Sequence, residues 1–108
     1  MTEEEHIEQM AGDQLNPAVV RCCRVWQLVY DQNLEDTSTT QFEAQLAANT
    51  AFRNAMPPLL GSENIRDFIA CVATGLLKGD ISCKEAPRLL YAAQIAVSAD
   101  GSRKLLRK

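Results

Sequence analysis

Four side chains of types that could ligate a metal or carry redox chemistry are Cys22, Cys23, Cys71 and Cys83. Zinc sites commonly draw on cysteines a few residues apart, because one short loop can then offer two thiolates to a tetrahedral ion. Cys22 and Cys23 are instead adjacent in a stretch that reads as helix, where neighbouring side chains splay by about 100°. Chelation by that pair is geometrically poor, and Cys71 and Cys83 lie far along the chain. Reduced cysteine is also among the most often buried residue types, so the expected role of all four is core packing, with no metal and no other cofactor.

The only histidine, His6, lies in an acidic stretch that offers no second group to orient it, which argues against a histidine-activated nucleophile. The serines fall at helix starts and loops. No strand precedes a glycine-rich phosphate loop. The carboxylates are scattered over solvent faces rather than paired in a cleft that would raise a pKa. The chain therefore reads as a non-enzyme with no catalytic residue.

Nucleic-acid recognition is the next chemistry to weigh. The phrase Ile81-Ser82-Cys83-Lys84-Glu85-Ala86-Pro87-Arg88-Leu89-Leu90 opens like a helix-turn-helix. That motif needs a turn and then a recognition helix bearing polar and basic residues. Here the sequence continues Tyr91-Ala92-Ala93-Gln94-Ile95-Ala96-Val97 without a break, so the second half is missing. The basic end, Arg103, Lys104, Arg107 and Lys108, could instead touch phosphate or an acidic partner.

Composition bounds what can position such groups. With 108 residues, 46% of them hydrophobic, one small core is affordable. A net charge of -3 argues against a generic nucleic-acid or membrane binder, which usually carries a basic excess. The charge is polarised, with Glu3, Glu4, Glu5, Glu8 and Asp13 unopposed at one end and the four cations at the other. The acidic start is unlike a secretory signal, and no stretch approaches the roughly 20 apolar residues of a membrane span. A cytoplasmic location and reduced thiols are the expectation.

The elements read as all-α: a small bundle of four antiparallel helices at about 17–32, 39–56, 63–78 and 83–99. Residues 1–15 form an acidic arm or short N-terminal helix, residues 16–100 a single helical domain, and residues 101–108 a basic tail. Asn16-Pro17 is a start signal, Asn capping free amides and Pro tolerating the first helical position. Val19, Cys22, Cys23, Trp26, Val29 and Tyr30 share one face of the first helix. Asp, Ser and Thr between residues 33 and 40 favour a loop. The second helix has an alanine side (Ala44, Ala47, Ala48, Ala51, Ala55) and a larger apolar side (Phe42, Leu46, Phe52, Met56) interrupted by Asn49 and Arg53. Pro57 and Pro58 end it.

Ser62 is expected to cap the third helix, whose apolar face reads Ile65, Phe68, Ile69, Val72, Ala73 and Leu76, and Gly79 to stop it. Ser82-Cys83-Lys84-Glu85 matches a capping box, with Pro87 making the first turn irregular or delaying regular helix to near Ala86. The fourth helix turns Leu89, Leu90, Ala93, Ala96 and Val97 to the core and ends near Asp100-Gly101. Tyr91 and Ile95 point elsewhere.

The segments Asn64–Val72 and Leu89–Ala96 resemble phrases that recur in small bacterial helical proteins without an assigned activity. The resemblance covers the C-terminal half, implies a bacterial or mobile-element origin, and brings no ligand or site.

What remains is surplus apolar surface. Contiguous apolar surface on a small protein marks an interaction site. Phe42, Phe52, Met56, Tyr91 and Ile95 are accordingly the expected interface, with a second copy of the chain or a larger protein. The competing expectation is that the N-terminal arm or the loop covers them. The expected role is a protein interaction module, a regulator or inhibitor of another macromolecule. The other reading is an accessory subunit of a nucleic-acid complex acting through the basic tail.

Overall fold

The computed structural model describes the backbone of residues 16–106 and the side chains of residues 16–100. Among the described residues there are four helices and no strand: α1 (Pro17–Leu34), α2 (Gln41–Asn54), α3 (Ser62–Lys78) and α4 (Glu85–Leu106). The fold is all-α. The chain divides between Met56 and Pro57 into two compact units, in which α2 packs on α1 and α4 on α3.

In the first unit, Asn16 caps α1 by accepting from the Ala18 and Val19 amides at 3.1 and 3.2 Å, with Pro17 in the first position. The helix runs to Leu34, two residues past the expected end, and Asn33 donates its side-chain amide back to the Val29 carbonyl at 2.8 Å. Asp36 then turns the chain: its carboxylate accepts from the Ser38 amide at 2.9 Å and the Ser38 hydroxyl at 2.7 Å. Thr39 belongs to this turn through its amide, which donates to the Asp36 carbonyl. α2 therefore starts at Gln41 rather than residue 39. Its cap is Thr40, which accepts from the Glu43 amide at 3.1 Å and donates its hydroxyl to the Glu43 carboxylate at 3.1 Å.

The first unit buries Ala18, Cys22 and Cys23 of α1 and Ala44, Ala48 and Phe52 of α2. Ala44, Ala48 and Phe52 are spaced by four, so they form one line along α2. The alanines keep that line low enough for a close helix approach, and Phe52 fills its end.

In the second unit, Gly61 occupies the cap position of α3 with φ +87° and ψ 148°, and no side chain caps the helix. Ser62, the expected cap, is the first helical residue. The chain reaches α3 through a backbone conformation open to glycine, which shifts the cap one residue back. At the other end Gly79 adopts φ +86°, as expected. The Asp80 amide donates to the Gly75 carbonyl at 2.8 Å and the Gly79 amide to Leu76 at 3.3 Å, the paired bonds of a Schellman stop. The Ile81 amide donates to the same Gly75 carbonyl at 3.1 Å. Ile81 and Asp80 are thereby folded inward, and the Asp80 carboxylate, 6% exposed, pairs with Lys78 at 3.3 Å.

Ser82 accepts from the Glu85 amide at 3.1 Å, and regular helix begins at Glu85, leaving Pro87 in the first turn where a missing amide is tolerated. α4 does not stop near Gly101. It continues to Leu106, because glycine costs a helix only about 1 kcal/mol and the following Arg103, Lys104, Leu105 and Leu106 are good helix formers.

The buried line of α3 is Ile65, Phe68, Cys71, Val72 and Gly75. Ile69, Ala73 and Leu76, expected inside, are exposed, as are Leu90 and Val97 of α4. The reason is rotational. Cys71 and Gly75 are small, so the partner helix settles over them, and the larger residues about a quarter turn away are left on the flank.

Candidate interaction surface

The expected interface residues separate into three situations. Phe52 is fully buried and belongs to the core of the first unit, so it is not available to a partner. Met56 is half-buried. Phe42, Tyr91 and Ile95 are exposed, at 67%, 65% and 53%. Arg103 and Lys104 lie on the α4 backbone, while Arg107, Lys108, His6 and the acidic arm fall outside the described residues.

In the first unit, Phe42 does not stand alone. Phe42, Leu46, Asn49 and Arg53 are spaced four, three and four, which places them on one stripe of α2. Trp26 of α1 donates its indole N–H to Asn49 Oδ1 at 2.8 Å, and Arg21 reaches the Ala55 carbonyl, so the helices run antiparallel with Tyr30 level with Leu46 and Leu34 level with Phe42. Trp26 stacks on Tyr30 with centroids 4.9 Å apart. Leu34, Phe42 and Leu46, all exposed, therefore gather near the loop end, backed by the half-buried Tyr30.

Charge is sorted along the same pair. Arg21, Arg24 and Arg53 lie toward the end where α1 begins and α2 finishes, and Asp31, Glu35, Asp36 and Glu43 lie toward the loop. The Arg21 guanidinium donates from Nε and Nη2 to the Ala55 carbonyl at 3.1 and 2.9 Å, placing a cation on the C-terminus of α2 where the helix dipole favours it. At the loop, hydrogen bonds from the Ser38 side chain and then its amide hold the Asp36 carboxyl below its ordinary 3.8.

In the second unit, Ile69 and Leu76 of α3 are seven apart, as are Leu90 and Val97 of α4, so each pair stands two turns apart on one side of its helix. Both rows flank the buried line in the same rotational sense. In a helix and its antiparallel return these flanks share one side of the pair, giving a face of four half-open aliphatic residues. Tyr91 and Ile95 stand on the far side of α4 from α3.

The cysteines divide unevenly. Cys22, Cys23 and Cys71 are buried and Cys83 is exposed, and none forms a disulfide. Cys83 thus departs from the packing role expected of it. It falls in the turn ahead of α4, where Ser82 and Glu85 cap the helix and nothing among the described residues covers the thiol. Among the described residues, no group of three or more His, Cys, Asp or Glu side chains could hold a metal ion. No described helix is long and apolar enough to cross a membrane.

Sequence reasoning missed Leu34, Leu90, Val97, Ile69 and Leu76 as surface residues. The seven-residue spacings were visible, but not which side of the apolar arc would be covered. No protein-family model matches the chain, and no curated protein or solved structure matches it either.

Proposed function

We propose that the chain is a non-enzymatic protein interaction module that engages a second copy of itself or a larger protein through its exposed apolar helix faces. One observation carries this reading. Among the described residues, twelve large apolar side chains are exposed, whereas five (Phe52, Ile65, Phe68, Val72 and Ile81) are buried. A self-sufficient small domain needs the balance to run the other way, because buried apolar area supplies most of its stability. The exposed residues are also grouped, in the Leu34, Phe42 and Leu46 cluster and in the Ile69, Leu76, Leu90 and Val97 face, and grouped apolar surface is what partners cover.

Multi-angle light scattering of the full chain, together with capture from its native host, tests the proposal. Association should occur and should weaken when Leu90 and Val97 are changed to Glu or when Phe42 is changed to Asp. A monomer that captures nothing, and whose variants behave alike, would remove it.

A second reading is favoured by the continuation of α4 to Leu106, which carries Arg103 and Lys104 on a helix rather than in a loose tail. On this reading the chain is an accessory subunit of a nucleic-acid complex. Deleting residues 101–108 should then abolish a salt-sensitive association with nucleic acid, and unchanged association after that deletion would dismiss this role.

A further inference from the structure

We infer that two copies of the chain pair through the first unit, each laying the Phe42, Leu46 and Arg53 stripe of α2 antiparallel across the same stripe of the other. This pairing rests on the interaction reading above and gives it a partner, a face and an orientation.

The distribution of charge identifies the occupant. The described charges of the first unit are sorted by sign along the helix pair. Arg21, Arg24 and Arg53 lie at the end where α1 begins, and Asp31, Glu35, Asp36 and Glu43 lie toward the loop. From Glu43 to Arg53 the separation is about 15 Å at 1.5 Å per helical residue. A surface polarised in this way fits a partner polarised the opposite way, and its own copy, turned end for end about a twofold axis, is one. Each acidic loop end then faces the other copy's arginine end. Parallel docking would set arginines against arginines and carboxylates against carboxylates, so the charges select the orientation as well as the partner. The described residues of the second unit are not sorted. Lys78, Lys84 and Arg88 stand with Asp80 and Glu85 about its turn, and Arg66 stands with Glu63 and Asp67 at the start of α3, so both ends carry both signs.

The apolar groups suit the same arrangement. An axis midway between the charged ends crosses the stripe near Asn49, which accepts from the Trp26 indole at 2.8 Å. Leu46 stands beside that axis, close to its counterpart. Phe42, 67% exposed, lies over the Arg53 and Met56 end of the other copy, where the half-buried methionine and the arginine stem offer apolar surface. Each copy covers the other's Phe42 in the same step.

The test is sedimentation equilibrium on the full chain, with far-UV circular dichroism and Trp26 fluorescence confirming that each variant keeps its fold. The unaltered chain should dimerise. Arg24→Glu, Arg53→Glu reverses the basic end, and Asp31→Lys, Glu35→Lys, Glu43→Gln reverses the acidic end while glutamine keeps a partner for Thr40. Each set should weaken the dimer at least about tenfold, because like charges then meet. Only the first set raises the magnitude of the chain's net charge, so loss in both reports the ends and not overall repulsion. Both sets in one chain should recover part of the affinity. Phe42→Asp, in the first turn of α2 where an acid suits the helix dipole, should weaken the dimer too, and it decides the matter if a charge variant fails to fold.

Tighter association in either single-end variant would mean parallel docking and overturn the inference. Self-association untouched by these variants but abolished by Leu90→Glu, Val97→Glu would move the contact to the second unit and equally overturn it. A monomer at every concentration would also overturn it, and if that monomer captures a protein from its host, the interaction reading stands without the dimer.

Discussion

The cysteines show most directly how neighbouring side chains of one type can differ. Cys22 and Cys71 are inaccessible and Cys23 nearly so, while Cys83 is exposed ahead of α4. A thiol must reach solvent to react as thiolate, so accessibility sets the order of labelling. Titration of the folded protein with a thiol reagent should show one fast equivalent, removed by Cys83→Ser, and three that react only on unfolding. Two or more fast equivalents would mean that the α1 or α3 core opens readily. Asp36 gives the second prediction at this scale. Ser38 lowers its pKa on folding, so the stability it contributes is present above about pH 3.8 and is lost as the pH falls through the folded value. Acid should therefore loosen the α1–α2 turn only below pH 3.8, and Asp36→Asn should flatten that part of the stability profile. An NMR titration midpoint for the Asp36 carboxyl at or above 3.8 would contradict it.

At the scale of elements, the helix boundaries were the most legible feature of the sequence because they depend on local chemistry. Asn16-Pro17 and Gly79 act within four residues of themselves, and both appear where their side chains or backbone freedom require. The same logic would have found Thr40 through its Glu43 partner three residues on, a capping box that was overlooked. What helices bury was less legible. Periodicity marks an apolar arc, but the covered part of the arc depends on how closely a second helix can approach; Gly75, which scores weakly as core, allows that approach beside Cys71, a cysteine expected to pack inside. Long-range polar ties, Trp26 to Asn49 across 23 residues and Arg21 to Ala55 across 34, leave no local trace. The two positive-φ glycines make the boundary argument testable. Neither Gly61 nor Gly79 has an atom within 4 Å of a would-be Cβ, so any cost of substitution is backbone strain. Gly79, with ψ 6°, lies in the left-handed helical region that Asn tolerates, whereas Gly61, with ψ 148°, lies where only glycine is comfortable. Alanine should cost about 1–2 kcal/mol at Gly79 and up to about 3 at Gly61. Asparagine should recover much of the loss at Gly79 and little at Gly61, read from urea unfolding midpoints. Equal recovery at both sites would contradict the conformational assignment.

For the whole molecule, the deciding quantity is how much apolar surface the chain can bury by itself. Among the described residues each compact unit is a helix pair, and in the first only Phe52 is a large, fully buried apolar side chain. A core of that size rarely supplies more than about 3–5 kcal/mol, which leaves the protein's stability sensitive to anything that covers its flanks. A ligand or partner that binds only the folded form raises the unfolding temperature by mass action, and a second copy does so in proportion to the logarithm of concentration. If self-association covers the Ile69, Leu76, Leu90 and Val97 face, Tm should rise over a hundredfold increase in protein concentration. The rise should disappear in the Leu90→Glu, Val97→Glu variant. Trp26, the only tryptophan, reports the first unit by fluorescence, and circular dichroism reports helices of both. If the rise comes from the α3–α4 face, the dichroism transition must move with concentration whether or not the fluorescence transition follows. A Tm independent of concentration in both signals would exclude the second copy as the occupant, and the face would then belong to a larger protein.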